Sequence, residues 1–165
     1  MTTQMRSGLV VAAIHLAIVG SIGGKLLFDR ATRPRVWART APIDPDLPLR
    51  GRYVQLRVEG VAEGDAGDRE SHPVVLSVEN GSLSFRQDPG GGYRLTARTT
   101  TREGRRVAVL DQRLAFFIPE HVPDPSARAR DEELWAEITL PTSGPPRPIR
   151  LGVRRGGALQ PLDLR

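Results

Sequence analysis

The sequence predicts an N-terminal transmembrane helix followed by an all-β antiparallel domain, a barrel or a sandwich with at most one short helix. Three observations carry this. Residues 7–24, SGLVVAAIHLAIVGSIGG, contain no charged side chain, and KLLF extends the apolar run to Phe28. Beyond residue 48, short stretches alternate apolar and polar residues and recur at roughly 8–12-residue spacing, the habit of short antiparallel strands. Turn residues punctuate them, led by Asn80-Gly81, the strongest short hairpin signal. The expected organisation is a tail over 1–7, an anchor over 8–28, a Pro-rich linker over 29–48 and a β domain over 49–165.

A helix from Gly8 to Phe28 would reach roughly 30 Å, the thickness of a hydrocarbon core. A cleaved signal peptide is the rival reading, because its apolar region runs only about 7–15 residues before a small-residue site. Ser21 and Gly23 loosely imitate such a site, but the length of the run favours an uncleaved signal-anchor. Orientation is contested by the flanks. Arg6 precedes the run, while Lys25, Arg30, Arg33, Arg35 and Arg39 follow it against Asp29 alone, a bias that favours a cytoplasmic C-terminal domain. Large domains translocate despite basic flanks, and Arg35 and Arg39 fall in the linker. The expectation is a single-pass protein of a bacterial cell membrane with its C-terminal domain extracytoplasmic. Gly20 and Gly24, with Ala13 and Ala17 upstream, have the spacing that lets two helices approach closely. A helix–helix homodimer is the partner this spacing admits, although Gly and Ala are ordinary in membrane helices. His15, near mid-membrane with no acidic partner in the run, reads as a tolerated neutral imidazole.

With 165 residues the chain has room for one compact domain and an appendage. Lys25 is the only lysine among 24 basic residues, a skew that reads as GC-rich bacterial codon usage ahead of a demand for forked guanidinium donors. The net charge is +5, yet acidic residues are interspersed throughout and no basic run exceeds two. A solvated mixed-charge surface is expected, and with aromatics at 5% no nucleic-acid partner is. The absence of cysteine excludes disulfides, thiolate catalysis and Cys-ligated zinc.

Along the domain, residues 29–48 carry Pro34, Pro42, Pro45 and Pro48 and read as extended linker. From Tyr53, one face presents Tyr53, Gln55 and Arg57 and the other Val54, Leu56 and Val58. Residues 60–72, rich in Gly, Asp and Glu, read as a surface loop. PVVLSVE (73–79) and SLSFRQ (82–87) flank Asn80-Gly81, and DPGGG ends that pair. YRLTARTTT (93–101) leads through Glu103-Gly104 to RVAVLDQRLAFFIPE (106–120), which holds one long strand or two. DPSARARDEEL (124–134) has helical character, with Asp124 as N-cap and Pro125 at the first helical position. ELWAEITL (133–140) alternates again, and PIRLGV and ALQPLDL flank a closing turn at residues 154–157. The expected core includes Val54, Leu56, Val75, Phe116, Ile118, Leu134 and Ile138.

PIDPDLPLRGRYVQLRV resembles the signature region of a bacterial family named for its GDYxxLxY motif, through Pro42, Asp44, Pro45, Leu49, Arg50, Gly51, Tyr53, Val54 and Leu56. Arg52 stands where the family has an acidic residue and Val58 where it has a second tyrosine. FFIPEHV (116–122) is similar to a second family feature, an aromatic strand ending in Val/Ile-Pro-Glu. The resemblance implies a membrane-anchored protein with an extracytoplasmic domain and no established activity. Read from the residues, Gly51 allows a tight strand entry, and Tyr53 can bury its ring while its hydroxyl seeks a partner. Registration of the first strand is the structural role of this motif. A partner surface is the functional one, with Arg50, Gly51, Arg52, Tyr53 and Glu120 as binding residues.

No catalytic constellation is visible. Lys25 lies at the membrane boundary, which excludes a serine–lysine dyad in the domain. His121 beside Glu120 could act as a base or half a metal site, but a surface pair is the simpler reading, and Asp131, Glu132 and Glu133 read as a solvated face. PGGGY lacks the lysine and helix of a phosphate-cradling loop. No cofactor and no metal are expected. Two functions remain: a non-enzymatic envelope protein whose β domain binds a membrane or envelope partner, or a hydrolase or carbohydrate-active domain using scattered carboxylates.

Overall fold

The computed structural model describes residues 3–41, 53–64, 70–88, 90, 95–125, 129 and 131–164. The chain divides into two compact units, Met1–Arg33 and Pro34–Arg165.

The first unit is a single helix, α1 (Thr3–Thr32). Gly8–Asp29 within it is long and apolar enough to cross a membrane, and its large apolar side chains, Leu9 to Phe28, are all exposed. A helix with no polar face has no reason to lie on water, because each exposed apolar group costs free energy there. His15 Nδ1 is 2.9 Å from the Val11 carbonyl and Ser21 donates to Ile18 O at 2.8 Å, so these two polar side chains are satisfied on the helix itself. The helix runs past the expected anchor end at Phe28. Thr32 Oγ1 donates to Phe28 O and Arg33 pairs with Asp29 at 3.3 Å, one turn apart, before Pro34 ends it.

Among the described residues the second unit contains ten strands: β1 (Arg35–Ala41), β2 (Tyr53–Glu63), β3 (Ser71–Glu79), β4 (Ser82–Gln87), β5 (Leu95–Arg102), β6 (Arg105–Leu110), β7 (Leu114–Phe117), β8 (Glu132–Thr139), β9 (Arg147–Arg155) and β10 (Ala158–Pro161). The all-β expectation holds, and among the described residues the only helix is α1. The order is β10-β9-β8-β1-β2-β4-β3-β5-β6, and β6 returns to pair with β2. The strands β2, β4, β3, β5 and β6 therefore close a ring, a small barrel, and β1, β8, β9 and β10 extend from it as a wing. All pairings are antiparallel except β2 with β4, through Val61–Glu63 opposite Ser84–Arg86.

Local chemistry sets the hairpins. Asn80-Gly81, Glu103-Gly104 and Gly156-Gly157 each form a two-residue connection with both residues at positive φ, the geometry that matches the strand twist. Ring closure depends on Gly60: a Cβ there would lie 2.3 Å from the Leu83 carbonyl oxygen. That is backbone, which has no rotamer by which to yield.

β2 organises the domain. On one edge it meets β1 and then β4; on the other it meets β7 and then β6. Val54, Leu56 and Val58 point into a core shared with Val36, Ala38, Leu83, Phe85, Leu110, Ile138 and Leu151. Of the expected core residues, Val54, Leu56, Ile118 and Ile138 are buried and Phe116 and Leu134 pack partly against them.

Several expectations need correction. Residues 29–48 are not all linker: the last helical turn and β1 occupy 29–41, and 42–48 lie outside the described residues. Val36 and Ala38 alternate inward there, held by β8 on one side and β2 on the other. Residues 132–139, expected to begin in a helix, form β8, because β1 and β9 claim both of its edges. Val75 is 47% exposed and Val74 is buried instead. The β3–β4 register opposes Leu76 to Phe85 and Val78 to Leu83, which directs even-numbered β3 residues inward. The segment 106–120 contains two strands, and the loop expected over 60–72 is shortened by β2 and β3.

Candidate functional site

Alternation along β2 leaves Tyr53, Gln55, Arg57 and Glu59 on the face away from the core. Of the predicted binding residues, Arg50, Gly51 and Arg52 lie outside the described residues. Tyr53 opens β2 directly opposite Phe117 of β7, so the two motif strands are neighbours in space. The rings meet edge to face, with centroids 5.4 Å apart and planes at 71°. They stay exposed, at 45% and 62%. Both rings would be more stable covered than in water. Glu120 is exposed in the turn just beyond, where Val122 N donates to Pro119 O at 3.2 Å.

Farther along the same face, β2 separates two flanks. On the wing side, Glu59 is 4% exposed although it carries a carboxylate. Arg102 Nη1 donates to its Oε2 at 3.0 Å and lies 2.8 Å from Oε1, and Arg39 Nε is 3.9 Å away. Loss of solvation raises the Glu59 pKa, opposed by the Arg102 and Arg39 charges and reinforced by Glu133. Arg39 also pairs with Glu133 at 2.8 Å, which accepts from Trp135 Nε1 at 3.1 Å. Arg150 pairs with the buried Glu137 and lies over the Trp37 ring at 5.5 Å, while Arg154 stacks on Trp135 at 4.1 Å. Gly152 lets Trp37 lie flat across β9, since a Cβ there would come within 2.9 Å of the ring. Both tryptophans of the chain are thus interleaved with arginines and carboxylates in one ladder.

The barrel side is open. Val109 pairs with Glu59, but Leu114 pairs with Leu56, so β6–β7 carries extra residues that leave the edge of β2. Beside this break is a pocket of about 370 Å³ lined by Arg57, Arg98, Thr99, Thr100 and Asp111, with Val109 and Leu110. Asp111 accepts from Arg98 Nε at 2.9 Å and Ser71 Oγ at 2.8 Å. Desolvation pushes its pKa up, but hydrogen bonds from Ser71, Thr96 and Arg98 and the Arg98 charge outweigh that and hold it below 3.8. Arg57 has no ion pair, hydrogen bond or ring contact among the described residues, and its Nε is buried without a partner. The Thr99 hydroxyl is likewise buried and unpartnered.

The pocket lining contains one carboxylate, already committed, where a glycosidase needs two facing the scissile bond. Among the described residues no serine or threonine hydroxyl bonds a histidine, and no three of His, Asp and Glu gather as metal ligands. Compared with known proteins, the chain matches no family model, no curated protein and no solved structure. Alternation placed Tyr53 and Arg57 on one face, but Phe117, Asp111 and the tryptophan ladder depend on register that the sequence does not display.

Proposed function

We propose that the chain is a membrane-tethered, non-enzymatic binding protein whose β domain meets a membrane or envelope partner at the end of β2. The observation that carries this reading is the exposed Tyr53–Phe117 pair, which joins the two motif strands at one patch. The apolar Gly8–Asp29 segment, with none of its apolar window buried, supports a single-pass tether. The resemblance to the GDYxxLxY family supports an extracytoplasmic domain in a bacterial envelope, and Gly20 and Gly24 support pairing of two anchors.

A photo-crosslinking residue at Phe117, in the full chain in native membranes, should trap a discrete adduct. The same probe at Val75, also exposed, on β3, should not. Equal labelling at both positions would count against the aromatic patch. A C-terminal alkaline phosphatase fusion should be active, and the chain should resist carbonate extraction at full mass. A soluble form starting near Lys25 would replace the tether with a cleaved signal.

A further inference from the structure

We propose that the pocket beside the β6–β7 break binds a phosphoryl group, as a free phosphate ester or a phospholipid headgroup. The proposal goes beyond the partner reading, which rests on Tyr53 and Phe117. The carrying observation is a contrast among arginines. Arg39, Arg98, Arg102, Arg150 and Arg155 are each paired with a carboxylate, whereas Arg57 faces the pocket with none. Asp111 does not neutralise it, because both of its oxygens are engaged by Arg98 and Ser71 and the Arg98–Asp111 pair has no net charge of its own. One uncompensated guanidinium therefore remains at the pocket wall.

The donor set favours a tetrahedral oxyanion over a carboxylate. Arg57 offers a planar fork, and Thr100, on the outward face of β5 with Arg98, adds a hydroxyl. A fork and a hydroxyl set on different strands match the several oxygens of a phosphoryl group better than the two coplanar ones of a carboxylate. At about 370 Å³ the pocket sits near the lower end of small-molecule sites, enough for a headgroup or a small phosphate ester.

The test uses the full chain in uncharged dodecyl maltoside micelles, with thermal unfolding as readout and three probes: inorganic phosphate, glycerol phosphate, and micelles doped with phosphatidylglycerol against phosphatidylcholine. Wild type should be stabilised saturably, and Arg57→Gln should weaken the apparent affinity by about ten-fold or more, as loss of a charged hydrogen bond does. Stabilisation by glycerol phosphate identifies a free ester; stabilisation by phosphatidylglycerol alone identifies a headgroup presented by lipid. Thr100→Val separates binding from folding. It should leave the ligand-free midpoint close to that of wild type while weakening binding, a combination a purely structural threonine would not give. Should Arg57→Gln fail to fold by circular dichroism, Thr100→Val carries the test. If wild type and variants respond alike to every probe, or none responds, the proposal is overturned.

Discussion

The two flanks of β2 use the same residue types to opposite ends. Toward the wing, Arg39, Arg150, Arg154 and Arg155 each meet a carboxylate or an indole ring. Toward the β6–β7 break, Arg57 meets neither, and its Nε is buried unbonded. The difference is not composition, since one strand supplies both Arg57 and Glu59. It is register. Across β1, β8 and β9 long polar side chains stack on neighbouring strands and largely satisfy one another, even past the register shift at Glu137–Ile138, with Arg154 Nε left over above the Trp135 ring. Where residues 110–113 leave the edge of β2, the cross-strand neighbour is missing and donors are left over. A bulge thus converts a structural surface into one with unmet chemistry.

The strongest way to break this comparison is from below. Leu56 lies under both flanks at 1% exposure, and Leu56→Ala should cost about 4 kcal/mol, within the range for enclosed leucines, read from the urea midpoint. Both flanks should fail together. Trp37→Ala strikes the wing alone: it empties the space over Gly152 and removes the ring beneath Arg150, for about 2 kcal/mol given a half-buried indole. Binding at the Arg57 pocket should survive it.

Acidity sharpens the contrast, because the two flanks titrate in opposite senses. Glu59 holds its proton more tightly folded than unfolded, so its contribution to stability falls as pH rises from 4.5 through its raised folded value. Asp111 holds its proton less tightly when folded. Its contribution is present above 3.8 and is lost as pH falls through its lowered value. Glu59→Gln should therefore gain on wild type as pH rises above 4.5, while Asp111→Asn should lose less as the solution is acidified below 3.8. Denaturant midpoints across pH read both, and parallel curves would erase the distinction. The smallest effect is expected at the exposed aromatic pair, where Tyr53→Ala should cost about 1 kcal/mol, the scale of an edge-to-face contact.

Legibility in the sequence follows the range of the interactions. The hairpins at Asn80-Gly81 and Glu103-Gly104 were readable because positive φ is a local demand met by local residues. So was the β2 alternation, and with it the common face of Tyr53 and Arg57. β1 was not, since the prolines that flank it and its own arginines imitate a linker and its partner β8 lies far along the chain, with Arg35 opposite Thr139. The two adjacent valines of β3 offered both registers, and only pairing with Leu83 and Phe85 decided for Val74. Of the predicted site, Tyr53 became part of a patch through a partner, Phe117, that no local pattern names. The pocket arises from a break between two strands, which alternation cannot reveal.

The long separation between β1 and β8 has a further consequence for how the domain is made. Pairings of this range are closed late, because the loop entropy they must overcome is large. β1 precedes β8 by most of the domain, so one of its edges waits open until residues 132–139 arrive. An open edge invites wrong partners, from another copy or from a strand of the same chain. Arg35, Trp37 and Arg39 alternate with Val36 and Ala38 along it, so two charges flank its short apolar row. Before they join the ladder, these arginines are gatekeepers, placed where a half-made sheet would otherwise be most adhesive.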